Sequence, residues 1–193
     1  MLGLTIICLL FLFVIGAGLL IKSLPIIYEK NIWELLTTSN WKPFKGDFGF
    51  LPFILSTLYV TTIAILIALP LALLSSIYFS EYASDRVKRF FSPVVDLLAG
   101  IPPVIYGVWG TLTIVPLISE KIAPRFVDFS TGYSVLAGGI VLAIMIIPII
   151  ISVLTDVFNS IPKEIREASW SLGATKWETI KKVVLRKSLP GLI

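Results

Sequence analysis

The sequence predicts an all-α integral membrane protein: a helical bundle of about four transmembrane helices with a helical segment on the cytoplasmic side. Of its 193 residues, 56% are hydrophobic and only 15% are charged, whereas a soluble domain usually carries about 25% charged residues. The charges gather between long uncharged stretches. This distribution is typical of a chain that lipid partly surrounds, because charge is costly in the hydrocarbon.

Composition also excludes several classes of function. The sequence contains no histidine, which removes His-based catalytic triads and most zinc sites. It contains no G-x-x-x-x-G-K-[ST] phosphate loop, so a nucleotide would have to bind to another chain. The basic residues behind the net charge of +4 flank apolar segments, which argues against a nucleic-acid partner. We therefore expect no catalytic residue, no metal site and no cofactor bound by this chain.

Four segments reach the roughly 20 apolar residues that a spanning helix needs. We expect these spans at residues 1–21, about 50–79, about 94–118 and about 133–158. Residues 22–49 then form an outer loop. Residues 50–193 form one membrane domain, whose last part, residues 160–190, is polar and charged.

The basic residues predict the orientation of the spans. Four spans alternate sides, so the second and fourth links between them share a side. These two links hold Arg86, Lys88, Arg89, Lys163, Arg166, Lys176, Lys181, Lys182, Arg186 and Lys187, out of 16 Lys and Arg residues in all. The positive-inside rule then places the N-terminus, the second link and the tail in the cytoplasm.

Small residues and helix breakers indicate that the spans have helical neighbours. Small residues four apart let helix backbones approach closely, and they occur as Ala64, Ala68 and Ala72 and as Ser134 and Gly138. Glycines and prolines interrupt the third span, and a broken membrane helix either lines a pathway or forms a kink that neighbouring helices satisfy. The candidates for a polar translocation path are Thr57, Thr61, Thr62, Pro102, Pro103 and Tyr106, although each also suits ordinary packing.

The tail begins with a short predicted helix. Ser160 can cap this helix, and Pro162 suits its first turn. Gly173 can end it in the left-handed conformation. Helical spacing places four residues on one face, namely Ile165, Ala168, Ser169 and Leu172.

A second amphipathic helix follows directly. Thr175 and Glu178 fit the capping box, in which a threonine and a glutamate three residues later satisfy each other's backbone N–H groups. Pro190 prevents a simple continuation of this helix. Its apolar stripe consists of Trp177, Ile180, Val183 and Val184. Two short helices of this kind can lie on the membrane surface with basic residues at the headgroups, so these residues alone leave that interpretation open.

Residues 167–173, which read EASWSLG, resemble the E-A-A-x-x-x-G signature of ABC importer membrane subunits. Ser169 stands where the family has its second alanine, and Arg186 stands where it has a proline. The resemblance implies a coupling helix that seats in a groove of the ATPase subunit. It assigns the docking loop to Glu167, Ala168, Ser169, Leu172, Gly173 and Ala174.

A second resemblance points to the substrate. Residues 98–110, which read LAGIPPVIYGVWG, are similar to the A-G-I-P-S-V-V-Y-G-x-W-G stretch of phosphate-importer permeases. Trp109 and the long first outer loop favour the C-type subunit. The resemblance implies a plasma-membrane permease for inorganic phosphate. Its partners would be a second permease subunit, a dimer of ATPase subunits that carries ATP and Mg, and a periplasmic or extracellular phosphate-binding protein.

The family resembled has about six spans. The resemblance therefore implies a C-terminally truncated chain, because the family's G-R-A-L-G-E-T-like stretch on the next helix has no counterpart in this sequence. Two alternatives stay open: a permease for another solute, and a membrane scaffold fragment that transports nothing.

Overall fold

The computed structural model describes residues 2–188 and is predominantly helical. Its α-helices are α1 Leu2–Glu29, α2 Ile32–Thr37, α3 Leu51–Ile77, α4 Asp85–Ala99, α5 Pro103–Leu117, α6 Val135–Asn159, α7 Lys163–Ser171, α8 Lys176–Thr179 and α9 Leu185–Ser188. Helices α3, α5 and α8 are followed directly by π-helical turns, at Tyr78–Tyr82, Ile118–Ile122 and Ile180–Val184. Two-residue strands, β1 Trp41–Lys42 and β2 Asp47–Phe48, form a small antiparallel hairpin.

Within the described residues, four helical segments are long and apolar enough to cross a membrane. They are Gly3–Tyr28, Leu51–Tyr82, Pro103–Arg125 and Val135–Asn159. The predicted fold class, an all-α integral membrane protein with about four spanning helices, is confirmed.

The chain divides into two compact units, Met1–Thr57 and Leu58–Ile193. In the first, α1 continues well past residue 21 and ends at Glu29. Lys22 and Ser23 do not end the helix, because apolar residues resume after them and the Ser23 hydroxyl donates to the Leu20 carbonyl at 2.9 Å. The expected outer loop at 22–49 is therefore revised to begin after this helix.

The remainder of the first unit is a compact segment around Trp41. The Trp41 ring packs against the rings of Phe48, Phe50 and Phe53, with centroids 4.9 to 6.0 Å away. Lys30 donates to the Asp47 carboxylate at 3.0 Å. This hydrogen bond, together with the charge of the carboxylate, raises the pKa of Lys30.

In the second unit, α3 and α6 run parallel to each other. Early in both helices, Gly139 lies against Ile63, and beyond them the Ser80 hydroxyl donates to the Asn159 side chain at 3.2 Å. The predicted small-residue face, Ala64, Ala68 and Ala72, is fully buried, and Ala64 and Ala68 form a core cluster with Ala143 of α6. Because both helices end on the same side, the link after α3 and the tail after α6 share that side.

The third predicted span is two helices rather than one. Helices α4 and α5 are separated at residues 100–102, and both pack antiparallel along α6. Asp96 of α4 accepts a hydrogen bond from Ser152 at 3.2 Å, and Gly110 of α5 lies against Val141. The expected span at 94–118 is revised accordingly, because Gly100 and Pro102 break the helix.

Candidate functional site

The coupling segment, residues 160–188, begins with α7. Ser160 is the residue that ends α6, so it does not cap α7 as expected; Pro162, with φ −57° and ψ 142°, occupies the capping position. Glu164 lies in the first turn, where a negative charge complements the helix dipole. Gly173 follows the helix with φ of +83°, the left-handed conformation that glycine adopts without strain.

Helix α8 begins with the predicted capping box. Thr175 Oγ1 accepts from the Glu178 backbone N–H at 3.3 Å, and the Glu178 carboxylate accepts from the Thr175 backbone N–H at 3.0 Å. The hydrogen bonds that the Glu178 carboxylate accepts from the Thr175 backbone N–H and hydroxyl, with the nearby charge of Lys182, lower the pKa of Glu178. The residues beyond Ser188, including Pro190, lie outside the described part of the chain.

The inner face of the coupling segment packs against the ends of the spans. Ile180 and Val184 are each only 1% exposed, and they form one core cluster with Phe158 of α6 and Ile77 of α3. Two hydroxyls link α7 to α8, since Ser169 Oγ lies 3.0 Å from Thr179 Oγ1. The two short helices therefore form one body that is packed against the ends of α3 and α6.

A buried arginine fixes α7 in place. The guanidinium of Arg166 donates to Glu81 Oε1 from Nε at 3.0 Å and from Nη2 at 2.8 Å. It also donates to the backbone carbonyls of Phe158, at 2.8 Å, and Ile161. The side chains of Arg166 and Glu81 are 9% and 7% exposed, so this is an ion pair largely withdrawn from solvent.

The outer face of the segment carries exposed apolar groups. Leu172 is 89% exposed, Trp177 is 53% exposed and Trp170 is 44% exposed. Glu167 and Ala168 are exposed beside them. The predicted common face of Ile165, Ala168, Ser169 and Leu172 is therefore divided. Ile165 is half-buried against the core cluster at the ends of the spans, and Ser169 is half-buried against Thr179, while Ala168 and Leu172 are exposed. Ala174 is half-buried in the turn.

A family model decides the classification of the chain. The model described as "Binding-protein-dependent transport system inner membrane component" matches residues 68–193. The chain belongs to this family. The match covers the parallel pair α3 and α6 from residue 68 onward, the broken third span and the coupling segment.

Individual relatives agree with the family assignment. The chain is 43% identical over 162 residues to the probable ABC transporter permease protein YqgH of Bacillus subtilis, which covers 83% of this chain and 51% of the relative. It is 36% identical over 204 residues to the phosphate transport system permease protein PstC of Haemophilus influenzae, covering 94% of this chain and 65% of that one. The chain thus spans about half to two thirds of the length of these relatives, and the predicted resemblance to C-type phosphate permeases is confirmed.

An archaeal relative and a solved structure extend the comparison. The probable PstC of Methanocaldococcus jannaschii is 35% identical over 188 residues, covering 89% of this chain and 59% of that one. A structure of the MetNI methionine ABC transporter matches with a TM-score of 0.51 at 22% identity, covering 89% of this chain and 66% of that chain. This last likeness concerns the fold alone.

In this transport-family chain, the path candidates occupy different surroundings. In the second unit, the hydroxyl of Tyr106, a buried residue in the first turn of α5, donates to the Leu98 carbonyl at 2.9 Å, so it connects the two halves of the broken span. Pro102 and Pro103 form the start of α5. Thr61 and Thr62 are exposed, and Thr62 donates to a carbonyl of its own helix. In the first unit, Thr57 does the same.

The buried ion pair of Arg166 and Glu81 is not among the site residues expected from the sequence, in which Arg166 contributes only to the positive-inside pattern. A signal existed for Arg166, because it lies beside Ile165 and three residues before Ser169, on the face that packs inward. Nothing in the sequence pairs it with Glu81, which lies 85 residues earlier.

Proposed function

We propose that this chain is the membrane-spanning permease subunit of an ABC importer that moves inorganic phosphate across a bacterial or archaeal plasma membrane. The family match and the names of the phosphate permease relatives support this proposal. The observation that carries it is the coupling segment. Its inner face is packed against the ends of two spans, while its outer face presents exposed apolar and acidic side chains at a polar end of the molecule.

The exposed side of the coupling segment is the proposed docking surface for the ATPase. Leu172 and Trp170 supply apolar area, and Glu167 supplies a charge near the C-terminal end of α7, where the helix dipole disfavours it. A cation of the ATPase subunit would offset that unfavourable position. Ser169 and Ala174 support the loop from inside, and Gly173 sets the angle of the turn.

The proposed assembly follows from this docking surface. Two ATPase subunits bind ATP and Mg and hydrolyse the nucleotide, so this chain itself is not the enzyme and binds no cofactor. A second permease subunit completes the membrane domain, and a phosphate-binding protein delivers the substrate on the outer side. The N-terminus, the link at Arg86 and the coupling segment lie in the cytoplasm, in agreement with the positive-inside rule.

The proposed transport step is a movement of spans driven from the coupling segment. Closure of the ATPase dimer would displace α7, and the packing of Ile180 and Val184 against α3 and α6 would carry that displacement into the membrane. The break before α5 places irregular backbone beside Pro102, Pro103 and Tyr106, which supports a path along this region. Thr57 and Thr61 of α3 are path candidates by residue type alone.

Phosphate transport is tested by reconstituting the permease with the second permease subunit, the ATPase subunits and the binding protein in vesicles. We expect phosphate uptake that requires ATP, and ATP hydrolysis that phosphate stimulates more than sulfate, methionine or maltose do. Stimulation by another solute would favour a permease of different specificity. Binding of the ATPase without any solute movement would favour a scaffold, and either result would overturn the phosphate proposal.

The docking surface is tested with a matched pair of acidic residues on α7. Glu167→Ala removes the charge near the C-terminal end, whereas Glu164→Ala removes one from the first turn, and both residues are exposed. We expect Glu167→Ala to weaken co-purification of the ATPase about tenfold, which corresponds to one hydrogen bond to a charged group. Glu164→Ala should leave co-purification nearly unchanged. Equal effects of the two substitutions would contradict the docking role of Glu167.

A further inference from the structure

The π-helical turn Tyr78–Tyr82, which follows α3, is a meeting point of several elements. From α6, the Asn159 side chain accepts a hydrogen bond from Ser80 at 3.2 Å. From α4, Lys88 donates to the Ser80 carbonyl at 3.0 Å. π-helical turns are uncommon and occur frequently at functional sites.

Helices α7 and α8 of the coupling segment both contact this turn. Arg166 of α7 makes the buried ion pair with Glu81. Lys176, the first residue of α8, lies over the Tyr82 ring with its ammonium 4.4 Å from the ring centroid, which is within the range of a cation–π interaction. The coupling segment is therefore attached to the end of α3 by two charged side chains, on either side of the Gly173 turn.

The contacts of Arg166 connect α7 with the segments that follow α3 and α6. Its guanidinium makes two hydrogen bonds to Glu81, beyond the end of α3, and one each to the carbonyls of Phe158 and Ile161, at and beyond the end of α6. A planar guanidinium holds its acceptors in fixed directions. Apolar packing, by contrast, is non-directional and sets no particular angle between the groups that it joins.

Stability alone does not explain this arrangement. A buried ion pair is often no more stabilising than apolar side chains of the same volume, because both charges lose their hydration. What the ion pair adds over apolar packing is a defined distance and angle between α7 and the two spans. This property is what a mechanical connection requires.

We propose that Arg166 is the positioning residue that fastens the coupling segment to α3 through Glu81 and to α6 through the carbonyls of Phe158 and Ile161, so that α7 moves with these spans as one body. This inference rests on the proposed function, since it describes how the ATPase's movement enters the membrane. It assigns the transmission of the ATPase's movement to the contacts of Arg166 with Glu81, Phe158 and Ile161, which are called the joint below. The joint lies on the face opposite the exposed docking surface.

The joint is tested by measuring distances between spin labels on α7 and α3. Labels are placed at Lys163 and Leu74, both of which are exposed, in a Cys8→Ser background.

Arg166→Gln leaves the Glu81 charge buried without its partner and can prevent folding. The double variant Glu81→Gln/Arg166→Gln removes both charges and avoids this difficulty. Arg166→Lys keeps the charge but loses the fork, and Lys181→Gln removes an exposed cation from the same segment as a matched control.

We expect the double variant to broaden the distance distribution about twofold while its helix content stays that of the unsubstituted protein. The width of the distribution for Arg166→Lys should lie between the widths for the double variant and the unsubstituted protein. The width for Lys181→Gln should match that of the unsubstituted protein. In vesicles with the second permease subunit, the ATPase and the binding protein, the double variant should still bind ATPase but move about fivefold less phosphate per ATP hydrolysed, a loss of the size seen when a coupling path is weakened.

Two results would overturn the joint: an unchanged distance distribution in the double variant, or a broadened distribution with an unchanged ratio of phosphate to ATP. Failure of the proposed function has a different signature. In that case the unsubstituted complex would move no phosphate, and the distance distribution alone would decide whether Arg166 fastens α7 to α3.

Discussion

At the scale of single residues, Gly173 sets the geometry of the coupling segment. Its φ of +83° lies in the left-handed region, where a side chain on an L-residue crowds its own backbone. A Cβ at this position would meet no atom within 4 Å. The cost of any substitution is therefore backbone strain alone, and not a clash with a neighbour.

We predict that Gly173→Ala destabilises the coupling segment by about 1–2 kcal/mol. Gly173→Asn should cost less, because asparagine tolerates this conformation better than alanine. Hydrogen exchange of the α7 and α8 amides measures the effect. The control is Gly107→Ala, where a Cβ also meets no atom within 4 Å but φ is not positive; equal losses of protection in the two alanine variants would contradict the argument.

Glu178 makes the start of α8 sensitive to acid. Hydrogen bonds from the Thr175 backbone and hydroxyl lower its pKa below the ordinary value of 4.5. A carboxylate whose pKa is lower in the folded state stabilises that state above its unfolded-state pKa. This contribution is lost as the pH falls through the lower, folded-state value.

We predict that the amides of residues 176–179 lose protection against hydrogen exchange as the pH falls below about 4.5. Glu178→Gln is the matched control, since glutamine can still accept the capping hydrogen bond but carries no charge. Its protection should not change over the same pH range. If the glutamine variant loses protection at the same pH, another group causes the acid sensitivity.

Local features of the site were predictable from the sequence, whereas long-range pairs were not. The capping box and the Gly173 turn each involve residues close together in the chain, so spacing and residue type were sufficient. Arg166 pairs with Glu81 across 85 residues, and periodicity within α7 carries no information about that partner. The same limit applies to Ser169, whose hydroxyl lies 3.0 Å from that of Thr179, ten residues later.

At the scale of helices, the contact between α3 and α6 depends on small side chains. The sequence predicted the buried alanines of α3 but singled out Gly138 as the small residue of α6. The close approach is at the neighbouring Gly139, where an added Cβ would lie 2.5 Å from Ile63 Cγ2 and 2.8 Å from Ile63 Cβ. At Gly138 the nearest atom, Val60 Cγ2, is 3.6 Å away, an ordinary contact.

These neighbouring glycines provide a sharp test of the helix contact. Gly139→Ala should destabilise the folded protein by about 1–3 kcal/mol, because Ile63 cannot move away without shifting the α3 backbone. Gly138→Ala should change stability by less than about 0.5 kcal/mol. Thermal unfolding of the purified protein in detergent measures both. A larger loss at Gly138 than at Gly139 would contradict the described packing.

The boundaries of the helices were less predictable than their number. Hydropathy cannot distinguish a continuous span from two helices in line, so residues 94–118 were expected to form one span although α4 and α5 are separate. Likewise, Lys22 suggested an end to the first span, but a single charge does not stop α1. In both cases local backbone hydrogen bonds decide where the helix ends, and a hydropathy averaged over about 20 residues does not detect them.

At the scale of the whole molecule, the account depends on which side of the membrane the coupling segment faces. The structure places the residues after α3 and after α6 on one side, because Ser80 contacts Asn159 and Arg166 contacts Glu81. Most of the basic residues lie on that side. An ATPase that uses cytoplasmic ATP can bind the segment only if this side is the cytoplasmic one.

A photo-reactive side chain at position 172 tests this claim most directly. Leu172 is 89% exposed on the coupling segment, and Phe129, 84% exposed in the link between α5 and α6, is the control position. In intact cells, we expect the probe at 172 to cross-link to the ATPase subunit and the probe at 129 to give no such product. A cysteine at 129, but not one at 172, should react with a membrane-impermeant reagent. Labelling of position 172 from outside, without any cross-link to an ATPase, would contradict the account.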